Sequence, residues 1–420
     1  MKKIVQTFNR DKIVKDILDI LSIQSFTNNP IGITKCQNFV ISLAKQMGFE
    51  VSKHGKGKVV VISPKSLSDA PMLGIVVHLD TVPFVSNQWT YNPLGEIANN
   101  RIYGRGVLDD KAAIILSMHA LKNLEHKINP SWQIIVGSSE ESKWTDIEDF
   151  LKEKPELPSF MITIDGDGVQ NGCRGCLNLV LKFMRTSNTK NLEQLFIPEG
   201  VENIVPDKAI AVINNHQILE TGFSVHSSIP EKGQNAFSRL IRWLSLYNSI
   251  TCEFPYFFRL MELLEKGNCA QLLGFAPDTS ICPTKCNLIE DTISVNFNIR
   301  LGPLTTQNDL FGVLDQILQN YHCTMDISSL TFPSYVSKDS KEIKLMCHAY
   351  YKVIGKATIP NIARGLGYNA TFPNCAIFGP RFAPEDDEPD TCHGIDENRK
   401  IEDLLKFLDM LSIFIYELLK

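Results

Sequence analysis

The chain has 420 residues, 44% of them hydrophobic and 21% charged, with a formal net charge of −5, a size that accommodates two or three domains around a well-buried core. Its mild acidity excludes the basic stripe of a nucleic-acid binder, no stretch approaches the roughly 18 uncharged apolar residues of a membrane span, and residues 1–12 lack the apolar core of a signal peptide. The 11 cysteines, odd in number and scattered, fit thiols in a reducing compartment better than a disulfide framework, so a cytoplasmic protein is expected.

Apolar residues at helical spacing, first Ile13, Ile17, Leu18 and Leu21, then Phe39, Leu43 and Met47, predict helices over 11–22 and 33–47. Strand-like and helix-like segments then alternate to about residue 176, the pattern of an α/β sheet covered by helices. Three short apolar runs there, 73–77, 133–137 and 160–164, read as buried strands, as does a fourth at 375–379. Asn99-Asn100 is a hairpin signal, and the turn Tyr103-Gly104-Arg105-Gly106 leads to Asp109-Asp110 and a helix from Lys111. Beyond 177 the texture changes. Segments 178–183 and 292–299 alternate polar and apolar, 209–213 and 323–331 are further strand candidates, and helices are expected over 235–247 and 308–319. That mixture suggests an α+β layer with one side of its sheet open. From about 336 the α/β texture returns, with helices at 339–353 and 401–418. The expected plan is one discontinuous α/β domain, 1–177 plus 336–420, with a second domain, 178–335, inserted.

Each of the four apolar runs leads to a residue able to bind a metal: His78, the pair Glu140-Glu141, Asp165, and, through an acidic loop, His393. Ligands in open α/β sheets sit at the carboxyl ends of the strands. In His78-Leu79-Asp80, side chains two apart on a strand point the same way, so Asp80 can orient the imidazole from behind. Alone that triplet is equally a polar strand end. In Asp109-Asp110 one Asp can bridge two metals, or cap the following helix. The glycines before it resemble a phosphate loop, but no Gly-Lys-Ser/Thr follows. In Glu140-Glu141 adjacent side chains diverge, so one carboxylate can fix an ion while the other handles a proton; a solvated acidic loop is the commoner fate of such a pair. Asp165 has the ordinary reading of a turn residue and His393 that of a surface histidine. Their joint occurrence at strand ends is what argues for one metal site. Cys173-Arg174-Gly175-Cys176 reads as two small residues around a glycine turn, since a zinc site would need a second pair nearby.

The order of these motifs resembles the zinc metallopeptidases that include aminoacylase, acetylornithine deacetylase, succinyl-diaminopimelate desuccinylase, carnosinase and PepV-type dipeptidases. The resemblance rests on Gly74 to Pro83, Trp89 to Pro93, Tyr103 to Lys111, Gly137 to Trp144 and Ile164-Asp165. In the insert, Asn203 to Asp207 and His226 to Ala236 also match. Asp109-Asp110-Lys111 and Glu141-Ser142-Lys143-Trp144 are closest to the PepV-like dipeptidases. The resemblance implies a catalytic domain with helices on both faces of a mixed sheet and an inserted ferredoxin-like α+β domain that serves as a lid or for dimerisation. It implies two divalent ions, zinc foremost, with cobalt or manganese as alternatives. His78, Asp109 and Asp165 would hold one ion, and Asp109, Glu141 and His393 the other. Glu140 would be the general base and then the acid, with Asp80 holding His78. His226 would stabilise the oxyanion, Asn203 would contact substrate, and Arg300, on a matching strand, would contact substrate or form a structural salt bridge.

The resemblance departs at Gly365 to Asn374, where Ala370 takes the place of an arginine that clamps the substrate's carboxylate, a bidentate task that alanine cannot perform. Either Arg364 or Arg381 substitutes, or the substrate lacks a carboxylate there. Asp165, rather than Glu, resembles the dipeptidase and aminopeptidase branches. The expected activity is hydrolysis of an amide bond in a dipeptide or small peptide. The alternatives are an N-acyl-amino-acid deacylase and a non-catalytic binding protein on a hydrolase scaffold. The expected partners are a small peptide or N-acyl amino acid and a second copy of the chain through the insert, with no nucleic acid and no membrane.

Overall fold

The four apolar runs lie side by side in one sheet and point the same way. The structure, a computed structural model, describes residues 8–67, 71–266, 268–382 and 391–420. The start of the segment read for a signal peptide, 1–7, and most of the acidic loop before His393, 383–390, lie outside the described residues. Two compact units are present: Met1–Gly172 with Ser334–Ala363 and Gly367–Lys420, and Cys173–Pro333 with Arg364–Leu366.

The first unit is organised on a nine-stranded sheet. Its centre is Trp132–Gly137, Leu73–His78, Phe160–Thr163 and Cys375–Phe378, in that order and all parallel. Glu50–His54 and Val59–Ser63 join one side antiparallel, and Val169–Cys173 joins the other. The runs are almost wholly apolar because both faces are covered. Ile75, Val77, Ile134, Val136 and Ile162 pack into one cluster with helices Arg10–Leu21, Pro30–Gln46, Lys111–Leu124, Lys341–Ile354 and Ile401–Leu419. Their neighbours Val76, Ile135 and Met161 face the other way, against Ile147 and Phe150 of helix Thr145–Lys152. This is the two-residue period of a strand with each phase buried.

Asn99 and Asn100 form the expected hairpin between Glu96–Ala98 and Arg101–Tyr103, both with the positive φ (50° and 58°) that a tight hairpin turn needs. A third strand, Asn398–Lys400, pairs with Arg101–Tyr103 from nearly 300 residues away in the chain.

The second unit is a seven-stranded sheet in which every pairing is antiparallel. Helices Ala236–Leu244, Pro255–Leu264 and Gln307–Tyr321 contribute to a core with Leu179, Leu181, Val295 and Phe297. Strand Ser280–Ile289 gives no periodic signal in the sequence. Pro283 and Lys285 interrupt it, and the pairing shifts register between them, where a residue without an N–H is tolerated. A mixed sheet covered by helices in the first unit, and an antiparallel sheet packed with helices in the second, make this an α/β fold. No described helix is long and apolar enough to cross a membrane.

Candidate active site

Because the four central strands are parallel, their carboxyl ends share one edge, and the candidate ligands collect there. Strand Leu73–His78 ends on His78 itself, a buried ring. His78 Nε2 lies 2.8 Å from Asp109 Oδ1, and His393 Nε2 lies 2.9 Å from Asp109 Oδ2. His393 Nε2 is also 3.0 Å from Glu141 Oε1. Two groups of ligand-capable atoms result, each within 4.8 Å: His78, Asp109 and Asp165, and Asp109, Cys392 and His393. Asp109 is common to both. Asp110 occupies the N-cap position of the next helix, yet its side chain makes no capping bond. Its Oδ2 accepts instead from the His78 amide.

These residues fit divalent cations. His78 Nε2, Asp109 Oδ1 and Glu141 Oε1 are buried and lie within ion-pair distance of a neighbouring ligand atom, yet none of them makes a well-directed hydrogen bond, a costly arrangement unless a cation completes it. The carboxyls of Asp109, Asp110, Glu140, Glu141 and Asp165 surround only two imidazoles, an excess of acid that two divalent charges offset. Imidazole and carboxylate donors suit zinc, cobalt or manganese.

The acids are not equivalent. Burial raises the Glu140 carboxyl well above the usual range, and the nearby Asp165, Asp109 and Glu141 carboxylates add to this against the opposing charge of His78. Asp165 is pushed up to about 6 by burial and by Asp109. Burial also opposes ionisation of Asp109, but the His393 and His78 rings beside it hold its carboxyl well below the normal value. One acid thus stays charged between two imidazoles while another, Glu140, is inclined to hold a proton.

Two buried carboxylates hold the Glu140-Glu141 turn. Asp80 lies beyond the end of its strand, so its side chain is not bound to the strand's alternation. The His78 Nδ1 bond at 3.0 Å is to the Asp80 carbonyl, with the carboxylate Oδ1 at 3.4 Å. The Asp80 carboxylate accepts from the amides of Glu140 (3.0 Å) and Glu141 (3.2 Å) and from Thr27 Oγ1. On the other side, Asp146 accepts from the Ser138 and Ser139 amides, Ser139 Oγ, the Ile147 amide and Tyr368 Oη. Tyr368 belongs to the loop that carries Ala370. In that loop a Cβ on Gly367 would meet Glu140 Oε1 at 3.2 Å, so a side chain there would crowd the carboxylate.

His393 owes its position to the small sheet. Pairing of Asn398–Lys400 with Arg101–Tyr103 sets the His393 loop beside the Gly104-to-Asp109 loop. Arg105 ties the two together, donating to Glu397 Oε2 at 2.6 Å and to the carbonyls of His393 (3.1 Å) and Gly394 (2.8 Å). Glu397 Oε1 in turn accepts from the Gly106 and Leu108 amides. Gly106, at φ 96°, makes the bend; a Cβ there would also meet Lys111 at 3.0 Å. Sequence reading passed over Arg105, Asp146, Tyr368, Cys392 and Glu397. The one local signal was a charged residue inside a glycine turn, Gly104-Arg105-Gly106.

Asn203, His226 and Arg300 belong to the second unit. The Ser227 amide donates to the Asn203 carbonyl at 2.8 Å, and Ile204 bridges His226. His226 Nδ1 accepts from the Ser228 amide, which leaves the proton on Nε2. Burial, and then the charge of Arg300, lower its pKa, favouring the neutral ring. Asn298 Oδ1 accepts from both Ser227 Oγ (2.8 Å) and Arg300 Nε (3.1 Å). Arg300 is 6% exposed and has no carboxylate partner among the described residues. The other two candidate arginines are engaged, Arg364 with Glu231 at 3.0 Å and Arg381 with Asp167 at 2.8 Å.

Comparison with known proteins finds relatives that match nearly the whole chain. The beta-Ala-Xaa dipeptidase of Lactobacillus delbrueckii subsp. lactis is 24% identical over 469 residues, covering 98% of this chain and 97% of its own. The succinyl-diaminopimelate desuccinylase of Ehrlichia canis (strain Jake) is 23% identical over 421 residues, covering 96% and 97%. Among solved structures, aminoacylhistidine dipeptidase from Vibrio alginolyticus shares the fold at a TM-score of 0.64 and 15% identity, over 100% of this chain and 99% of the other. Residues 74–417 match the model of peptidase family M20/M25/M40, and the chain belongs to that family of metal-dependent peptide hydrolases.

Proposed function

We propose that this chain hydrolyses the amide bond of a dipeptide or small peptide, with two divalent ions and Glu140 as general base. The observation that carries the reading is the pair of ligand groups sharing Asp109, with the Glu140 carboxylate beside them and outside both. His78, Asp109 and Asp165 would hold one ion and Asp109, Glu141 and His393 the other. Bound there, the ions would supply Lewis-acid polarisation of the scissile carbonyl and a lowered pKa for the attacking water. Glu140 takes the proton of that water and later delivers it to the leaving nitrogen, a task suited to an acid whose pKa burial raises above the usual carboxylate range. The Asp80 and Asp146 carboxylates fix the peptide that carries Glu140, so the base needs no reorganisation during the reaction. His226, neutral and protonated on Nε2, donates to the developing oxyanion.

Arg300 is the substrate's anion partner. A buried guanidinium with no carboxylate beside it is set to receive one, and with Ala370 in its loop this chain has placed that charge in the insert. Asn203 supports the same contact. The insert, 178–335, serves as a lid or dimerisation domain. The similarity to a desuccinylase favours N-acyl-amino-acid deacylation as the second reading.

Incubation of the zinc-, cobalt- or manganese-loaded chain with a dipeptide panel and an N-acyl-amino-acid panel decides between them. We expect turnover of dipeptides. Turnover of the acyl panel alone would overturn the peptidase assignment, and inertness toward both with metals bound would mark a binding protein.

A further inference from the structure

We infer that the sulfur of Cys392 is a fourth protein ligand, as thiolate, at the metal position formed by Asp109, Glu141 and His393. The inference rests on the two-metal reading above and adds a donor that distinguishes one position from the other.

Cys392 Sγ lies 3.0 Å from Asp109 Oδ2, the same oxygen that lies 2.9 Å from His393 Nε2. Sulfur and imidazole thus converge on one carboxylate oxygen from adjacent residues. In extended chain adjacent side chains point to opposite sides. Here His393 is in the left-handed region at φ 59°, uncommon for a residue with a side chain, and that bend brings the two together. An independent observation marks the place as a cation site. The Glu141 side chain is 6% exposed, its Oε1 lies 3.0 Å from His393 Nε2, and that oxygen has no hydrogen-bond partner. A buried carboxylate oxygen without a well-directed hydrogen bond is what a cation at this position would complete.

Ligation is a balanced exchange. The sulfur–metal bond forms, the S–H bond breaks, the proton passes to solvent, and nothing is oxidised or reduced. A thiolate is a soft donor that selects zinc over manganese, whereas the position formed by His78, Asp109 and Asp165 offers only nitrogen and oxygen. The two positions then differ in metal preference although they share Asp109.

The test uses the full chain loaded with cobalt, read by near-ultraviolet absorbance, and loaded with zinc, read by X-ray absorption. With two ions bound, we expect a sulfur-to-cobalt charge-transfer band and a sulfur neighbour at ~2.3 Å from zinc. Both should vanish in Cys392→Ser, which should still bind two ions but hold one zinc at least about tenfold more weakly, with manganese affinity unchanged. Two bound ions without a sulfur signal in the unaltered chain would overturn the inference while leaving the two-metal reading intact. So would a signal that survives in Cys392→Ser. Failure of the unaltered chain to bind two ions would bring down the two-metal reading and this inference with it.

Discussion

The two sheets of this protein handle polar residues in opposite ways. In the first unit four parallel strands are buried on both faces, so their side chains are almost all apolar and the chemistry is pushed to their carboxyl ends. In the second unit the sheet is antiparallel and its strands alternate, so polar residues run in rows across it. Asn178 meets Asn298 and Lys182 meets Asp326 across strands, and Asn298 meets Arg300 along its own strand. The difference teaches where function can be separated from stability. At a parallel edge a residue can be lost with little effect on packing. Along a row, a residue's effect depends on whether its neighbours are buried with it.

Glu140→Gln puts that separation to its hardest test. It removes the base and leaves the strand edge intact. We expect kcat to fall about 10²–10⁴-fold with metal stoichiometry and unfolding midpoint unchanged; a fully active variant would remove Glu140 from its role. Asp146→Ala should break the separation, because this carboxylate lies behind the edge rather than on it. It strands the Tyr368 hydroxyl proton and the Ser138 amide and leaves the Ser139 amide only its bond to Tyr368 Oη, so stability should drop by about 2–4 kcal/mol in denaturant titration, with activity falling alongside. Arg300→Ala asks whether the row carries function. We expect kcat/KM to fall about 10–100-fold, chiefly through KM, with metal content unchanged and little rescue by lysine, which cannot reproduce the planar fork. An unchanged KM would return Arg300 to a structural role in the Asn298 network. Lys182→Ala sets the lower limit. Its partner Asp326 is 65% exposed, and pairs of this kind contribute little, so neither the unfolding midpoint nor turnover should move.

Much of the architecture was legible in the sequence because it is local. The four apolar runs became four adjacent parallel strands, and helices at 10–21, 30–46, 111–124 and 401–419 follow their apolar spacing and start signals. His78, Glu140-Glu141 and Asp165 were conspicuous because each follows a run that periodicity can detect.

What the sequence by itself determined is therefore where strands end and which polar residues follow them. Which of those residues meet, and what holds them, was decided by tertiary structure. His393 reaches Asp109 through a three-residue strand, Asn398–Lys400, too short to show a period. Asp80 serves both the His78 ring and the Glu140-Glu141 backbone, because once the strand has ended its side chain no longer follows a period of two. Asp146 and Tyr368 are 222 positions apart, and Cys392 shows its place beside Asp109 only in three dimensions. The physical reason is common to all of them. Local apolar spacing sets which face of an element is buried, but a contact between distant loops depends on the order and register of every strand between them.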